Sequence, residues 1–217
     1  MRLRSPTHRR ALTLIDILLV FAVVAVAAAL VLPSLSHEHR RSSRTACISK
    51  LKQIGLAARI YADDHDDKLP WEVAAPNGGT LPLINSTGVF QHFLVMSNEL
   101  STPKLLFCPE DRKASPLDNF AKLQNANISY FVGISSTMSN ANALLSGDRN
   151  VTGGTLSNGF MRTFISNSAM GWTKEIHNGA GNVGLADGSA QQLTSIALSN
   201  HIGRVLETTP VVRLAIP

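Results

Sequence analysis

Residues 9–35 read RRALTLIDILLVFAVVAVAAALVLPSL, and no charged residue occurs between positions 17 and 35. An apolar run of this length suffices to cross a bilayer as a helix, which takes about 20 residues. One carboxylate, Asp16, stands at the head of the run. An acid in hydrocarbon costs about 2.5–3.5 kcal/mol on insertion scales, so its presence there calls for a partner or a function. A basic start before an apolar core also fits a secretory signal peptide, with Ala27, Ala28 and Ala29 as small residues for a cut. The run instead continues through Leu30, Val31 and Leu32 into a helical pattern, which favours a stable anchor.

The formal charge of +5 is concentrated at the start, where Arg2, Arg4, Arg9 and Arg10 supply four, leaving +1 beyond residue 11. Arg40, Arg41 and Arg44 form a second, short cluster. Zinc-finger spacing and a basic stripe interleaved with aromatics are both missing, so no nucleic-acid partner is expected. Neither a P-loop nor a dinucleotide fingerprint occurs, and no cofactor is expected. Cys47 and Cys108 are too few and too far apart in sequence for a zinc site of the four-ligand type. Two states remain open for them: a pair of buried thiols, or a disulfide worth about 4 kcal/mol on the chain-entropy estimate.

Beyond Pro33 the helical period persists. Cys47, Leu51, Ile54, Ala58 and Tyr61 alternate spacings of four and three and so share one face, with Arg44, Lys50, Lys52 and Arg59 mostly off it. A helix from Leu12 to about Ala62 would run about 75 Å, with Pro33 as the place for a bend. Its second half needs a domain to cover the apolar stripe. The helix is expected to end in DDHDDKLP, with Pro70 as the stop. Asp63, Asp64, Asp66 and Asp67 supply calcium-type oxygens, but without a turn glycine or a distal glutamate they read as a solvated helix end.

Residues 72–90 read as loop, and VFQHFLVMS (89–97) as a short helix. LLFCPED (105–111) reads as a brief strand entering a turn, while a second cluster, ISYFVGIS (128–135), has strand composition and ALLSGDRN (143–150) follows it. NVGLADGSAQQLT (182–194) reads as a hairpin turning on Asp187-Gly188. A last helix is expected over about residues 195–207. One long helix followed by strands with short connections predicts an α+β domain, its antiparallel sheet crossed on one face by the N-terminal helix.

Residues 9–35 resemble the prepilin-type cleavage and methylation segment of type IV pilins and type II secretion pseudopilins. The resemblance implies a leader of residues 1–11, a prepilin peptidase cut between Ala11 and Leu12, and N-methylation of Leu12. Ala11 stands where that family has glycine, Leu12 where it has phenylalanine and Asp16 where it has glutamate. It further implies that Asp16 pairs with a neighbouring subunit's N-terminal amine to set filament register, and that Pro33 bends the helix. CISKLKQIGLAARIYADDHDDKLP, LLFCPED, ISYFVG, SGDRN and GNVGLADGSAQ, with His177 nine residues before the turn, together resemble a planctomycete and verrucomicrobial group of pseudopilin-like proteins.

The group implies a pilin-like fold: residues 12–35 as transmembrane and filament-core helix, and 36–217 as a periplasmic domain. It also implies a non-enzymatic filament subunit of the inner membrane, whose partners are prepilin peptidase, other pseudopilin subunits and the secretion platform. Within it, His177, Asp187 and the Asp148-Arg149 pair are expected to tie loops to the sheet through hydrogen bonds and an ion pair. Calcium bridging Asp148 and Asp187 is a minor alternative. Two other functions fit a membrane anchor: an uncleaved periplasmic binding domain, and an anchored hydrolase using His177, Asp187 and Ser189. The hydrolase lacks a G-x-S-x-G nucleophile context.

Overall fold

The computed structural model describes residues 14–217, with the backbone alone for residues 30–42. The expected cut at Ala11–Leu12 lies outside the described residues. The helical period appears as α1, Leu14–Asp63. The chain divides into two units, Met1–Ser42 and Ser43–Pro217, and the boundary falls within α1.

From Leu14 to Ala29, α1 is apolar on every side apart from Asp16. Leu14, Ile15, Leu18, Leu19, Phe21 and Val26 are among its side chains that stand more than half exposed. Asp16 is the acid of its first turn. Pro33 falls inside the range of α1, and its side chain is outside the described residues. Among the described residues, no helix is long and apolar enough to cross a membrane. The expected span of 12–35 is only partly covered by them.

In the second unit, the stripe read from the sequence is buried throughout: Cys47, Leu51, Ile54, Ala58 and Tyr61 are each no more than 3% exposed. The helix ends where the aspartates begin, and Asp66 and Asp67 adopt left-handed backbone that stops it. Those aspartates are exposed, as a solvated end requires. A series of 3-10 turns follows from Pro70. The expected helix at 89–97 is shorter, α2 (Phe90–Leu94), with a separate turn of helix α3 (Ser97–Leu100) after it. The expected strand at LLFCPED is corrected: Pro103–Leu106 form a 3-10 turn, because Pro103 favours its first position, and Phe107 after it is extended.

Two expected strands appear as β1 (Tyr130–Gly133) and β2 (Leu144–Asp148). The sequence reading omitted β3 (Val151–Gly153), β4 (Thr155–Ser157), β5 (Met161–Phe164) and β6 (Met170–Trp172). The expected hairpin is β7 (Ala180–Leu185) and β8 (Ala190–Thr194), followed by α4 (Ser195–Thr208) and an unforeseen strand β9 (Val212–Ala215). Seven strands pair antiparallel in the order β4-β5-β9-β1-β2-β7-β8, and β3 and β6 form a separate ribbon. The chain is thus α+β with an antiparallel sheet.

Alternation along the strands explains the layering. Tyr130, Val132 and Leu145 join the core that includes the α1 stripe, whereas Phe131, Leu144 and Val183 join a second core with Leu198, Ile202 and Val205 of α4. The sheet is therefore buried on both faces, by α1 on one and α4 on the other. Gly184 of β7 lies under Leu51, where an added Cβ would meet the Leu51 Cβ at 3.7 Å.

The hairpin turn differs in register from the expected two-residue form. Gly188 N donates to Leu185 O at 3.0 Å and Leu185 N to Ser189 O at 2.9 Å, which centres the turn on Ala186-Asp187. Gly188 follows in left-handed backbone, φ 83, the combination of type I turn and bulge that glycine permits. Helix and turn approach closely here: a Cβ on Gly55 would come within 3.3 Å of Gly188 Cα.

Candidate functional site

LLFCPED (105–111), SGDRN (146–150) and the loop that carries His177 meet beside the domain half of α1. Cys47 projects from α1 and forms a disulfide with Cys108, both fully buried. This decides between the two states that the sequence left open. The bond joins α1 to the segment that precedes β1, and Lys50, one helical turn on, donates to Phe107 O at 2.5 Å. Ser129 supports the same segment, since its hydroxyl accepts from Cys108 N at 2.9 Å and its amide donates to Leu106 O at 2.8 Å.

His177 closes the cluster. Its Nε2 lies 3.5 Å from Cys108 Sγ and 3.5 Å from Asp148 Oδ2, with both the histidine and aspartate side chains fully buried. Asp148, at the end of β2, accepts through Oδ2 from Asn182 N at 2.7 Å and Asn182 Nδ2 at 3.0 Å. Burial raises the Asp148 carboxyl to about 7 against those two bonds, and burial lowers the His177 imidazole to about 4. Between those values both groups are neutral, so their contact is not an ion pair.

The ion pair of the cluster joins Arg149 to Asp111. Arg149 Nε and Nη2 donate to Asp111 Oδ2 and Oδ1 at 2.5 and 2.7 Å. Burial pushes the Asp111 carboxyl up, but hydrogen bonds from Arg149 and Lys113 N outweigh it and hold the group below its ordinary value. Asp148 and Arg149 therefore face different partners: Arg149 ties the turn at Asp111 to the sheet, whereas Asp148 bonds Asn182 of the neighbouring strand. Asn150 continues the series, donating to Thr173 O at 2.9 Å and Ile176 O at 3.0 Å, which positions the loop that carries His177.

The spacing between His177 and Asp187-Gly188 acquires a physical reading from α1. Arg44 Nη2 donates to His177 O at 3.1 Å, and Arg59 Nη1 donates to Asp187 O at 2.5 Å. Those arginines are fifteen helical positions apart, roughly 22 Å along the axis. The strand β7 between the two carbonyls is thus clamped to the helix at both ends. Asp187 is exposed in its turn, and its Oδ1 accepts from Ser189 N at 2.8 Å.

This placement separates residues that the sequence invited one to combine. Asp148 stands beside Asn182 at one end of the β2–β7 pair, and Asp187 stands beyond Leu185 at the other, so they do not share a calcium site. His177 is buried against Cys108, while Asp187 and Ser189 lie together in the exposed turn, so the three do not form a hydrolytic triad. Sequence reasoning missed Asp111, Asn150, Asn182 and Ser129, whose roles depend on partners distant in the chain. Local signals of their roles are absent apart from their membership of the quoted fragments.

No family model matches this chain, nor does any curated protein or solved structure.

Proposed function

We propose that the chain is a structural subunit of a type II secretion-like pseudopilus or related type IV pilus-like filament, made as an inner-membrane precursor with its C-terminal domain in the periplasm. Prepilin peptidase removes residues 1–11 and methylates Leu12, and the secretion platform adds processed subunits to the filament. The observation that carries this reading is the stretch of α1 from Leu14 to Ala29, whose apolar side chains are exposed while a folded α+β domain follows on the same chain. A helix apolar all round needs lipid or other apolar helices as its surroundings.

Asp16 has a role in this reading that a plain anchor would not give it. The subunits pack helix against helix, and the Asp16 carboxylate meets the positive N-terminal amine of the next subunit. Exchange of lipid for helix contacts makes the association depend on packing and on this polar pairing rather than on water exclusion. The domain contributes a rigid body, stapled to α1 by Cys47–Cys108 and the Arg44 and Arg59 clamps.

Sheared cell-surface fractions, viewed by electron microscopy, test the proposal in cells that carry the peptidase and platform. Filaments should be present with the native chain and lost with Asp16→Ala, while the membrane level of the precursor is unchanged. Filaments that persist at native abundance with Asp16→Ala would contradict the role given to the carboxylate, and no filament with either chain would favour an uncleaved anchor.

A further inference from the structure

Three asparagines precede a glycine: Asn77, Asn158 and Asn178. Glycine has no Cβ, so its backbone nitrogen can reach the side-chain carbonyl of the residue before it. In sequence the three sites are equivalent, and the fold makes them different. Asn77 ends the 3-10 turn Ala75–Asn77, where Gly78 N donates to Ala75 O at 3.1 Å. Asn178 is exposed, but it follows the buried His177, whose carbonyl accepts from Arg44 Nη2. Asn158 and Gly159 form the turn between β4 and β5, and every residue from 154 to 159 is exposed.

Phe160 N donates to Ser157 O across this turn at 3.3 Å. Asn158 (φ 54) and Gly159 (φ 75) are both left-handed, the turn geometry that Asn-Gly favours. The turn uses the groups of Ser157 and Phe160, and among the described residues no hydrogen bond engages the Gly159 N–H. No atom lies within 4 Å of the place that a Cβ would take on Gly159. A backbone amide gives its proton to hydroxide only where it is open to water, the condition that governs hydrogen exchange. Gly159 meets that condition in the folded chain, whereas Gly78 meets it only when its turn opens.

We propose that Asn158 is a site of spontaneous deamidation, faster in the folded chain than Asn178 or Asn77. The Gly159 nitrogen, its proton given to hydroxide, bonds to the side-chain carbonyl carbon of Asn158. The bond from that carbon to the amide nitrogen breaks, the nitrogen takes a proton from water and leaves as ammonia, and a five-membered succinimide remains. Water then opens the ring at either carbonyl. One opening gives aspartate with the main chain unchanged, and the other gives isoaspartate with the main chain routed through the side chain. One water enters, one ammonia departs, and nothing is oxidised or reduced.

The consequence falls on the edge of the sheet. β4 is the outermost strand on its side, and its three residues pair with β5. The isoaspartyl product adds a methylene to the main chain of a tight turn, which loosens that pairing. Both products place a carboxylate beside β4, whose own side chains carry no charge. The older chain is therefore more acidic than the new one at this edge, whether or not it stands in a filament.

The test keeps the full chain in detergent and mildly alkaline buffer for several weeks, beside the same chain reduced in urea. Both samples stand in water enriched in heavy oxygen, so peptide mass spectrometry marks each asparagine that has become an acid. In urea the three sites should react at similar rates. Folding should slow Asn77 by roughly 5-fold or more and Asn158 by less than about 2-fold, with Asn178 between them. Asn158→Gly keeps a residue suited to the turn and removes the amide, so most of the acidic species resolved by ion exchange should vanish. An Asn158 that stays intact in the folded chain, or reacts no faster than Asn77, overturns the proposal. An acidic species undiminished in Asn158→Gly overturns it as well.

Discussion

Arg149 grips Asp111 through two hydrogen bonds of 2.5 and 2.7 Å, joining the end of β2 to the turn after Cys108. The side chains are 15% and 2% exposed, so the pair is largely removed from water. Removal of one partner from a buried pair leaves a charge without compensation, at a cost of about 3–5 kcal/mol. Arg149→Met should destabilise the domain by about that much, and the double variant Asp111→Asn with Arg149→Met should recover a large part. Urea unfolding of the three chains measures this, and a loss below about 1 kcal/mol for Arg149→Met would count against the pair as a structural tie.

The disulfide should matter to a different degree. Its loop spans 61 residues, and the chain-entropy estimate for such a closure is about 4 kcal/mol. Cys47→Ser with Cys108→Ser should lower domain stability by roughly that amount with native helical content retained at low temperature. An oxidised chain no more stable than the double variant would show that the bond does not hold α1 to the sheet.

His92 supplies a share of stability that mild acidification removes, opposite in sign to that of Asp148, whose raised carboxyl favours the folded chain as pH falls. The ring is fully buried, with Nδ1 2.7 Å from Thr80 Oγ1, and burial lowers it to about 4. In the unfolded chain its pKa is about 6.5. As pH drops through that value the unfolded chain takes up a proton that the folded chain refuses until about 4. The contribution is therefore lost as pH falls from 6.5 toward 4, at about 1.4 kcal/mol per pH unit where the slope is full. His92→Asn keeps a polar group opposite Thr80 and removes the titration. Unfolding free energies at pH 7 and 5 should differ less in His92→Asn than in the native chain, and an equal difference would assign the acid sensitivity to other groups.

At the hairpin, Gly188 is required by backbone rather than by space. Its φ is 83, and only the flexible Arg59 side chain would meet an added Cβ, at 3.5 Å. Left-handed backbone costs a non-glycine residue about 1–2 kcal/mol. Gly188→Ala should lose that amount, and Gly188→Asn less, because asparagine tolerates this region. Thermal unfolding orders the three chains, and an alanine variant as stable as the native one would refute the strain.

The sequence was most informative where one local period governed many residues. The α1 stripe was legible because Cys47, Leu51, Ile54, Ala58 and Tyr61 repeat at the helical period against one core. β1 was legible from its aromatic and β-branched composition, α4 from helical spacing and the β7–β8 hairpin from the Asp-Gly turn. β4 was not, since all three of its residues are exposed and carry no alternation. β9 was not, because its strand character comes from insertion between β5 and β1, both far earlier in the chain. For the buried cluster, the residue types were readable but their pairings were not. His177 meets Cys108 across 69 positions and Arg149 meets Asp111 across 38, distances over which no local pattern operates.

The filament account rests on processing, so the most direct measurement is intact mass with N-terminal sequencing of the chain purified from its native membrane. The account predicts a chain that begins at methylated Leu12, without residues 1–11. A chain that still begins at Met1, from cells with an active prepilin peptidase, would contradict it and leave a membrane anchor that carries a disulfide-stapled α+β domain.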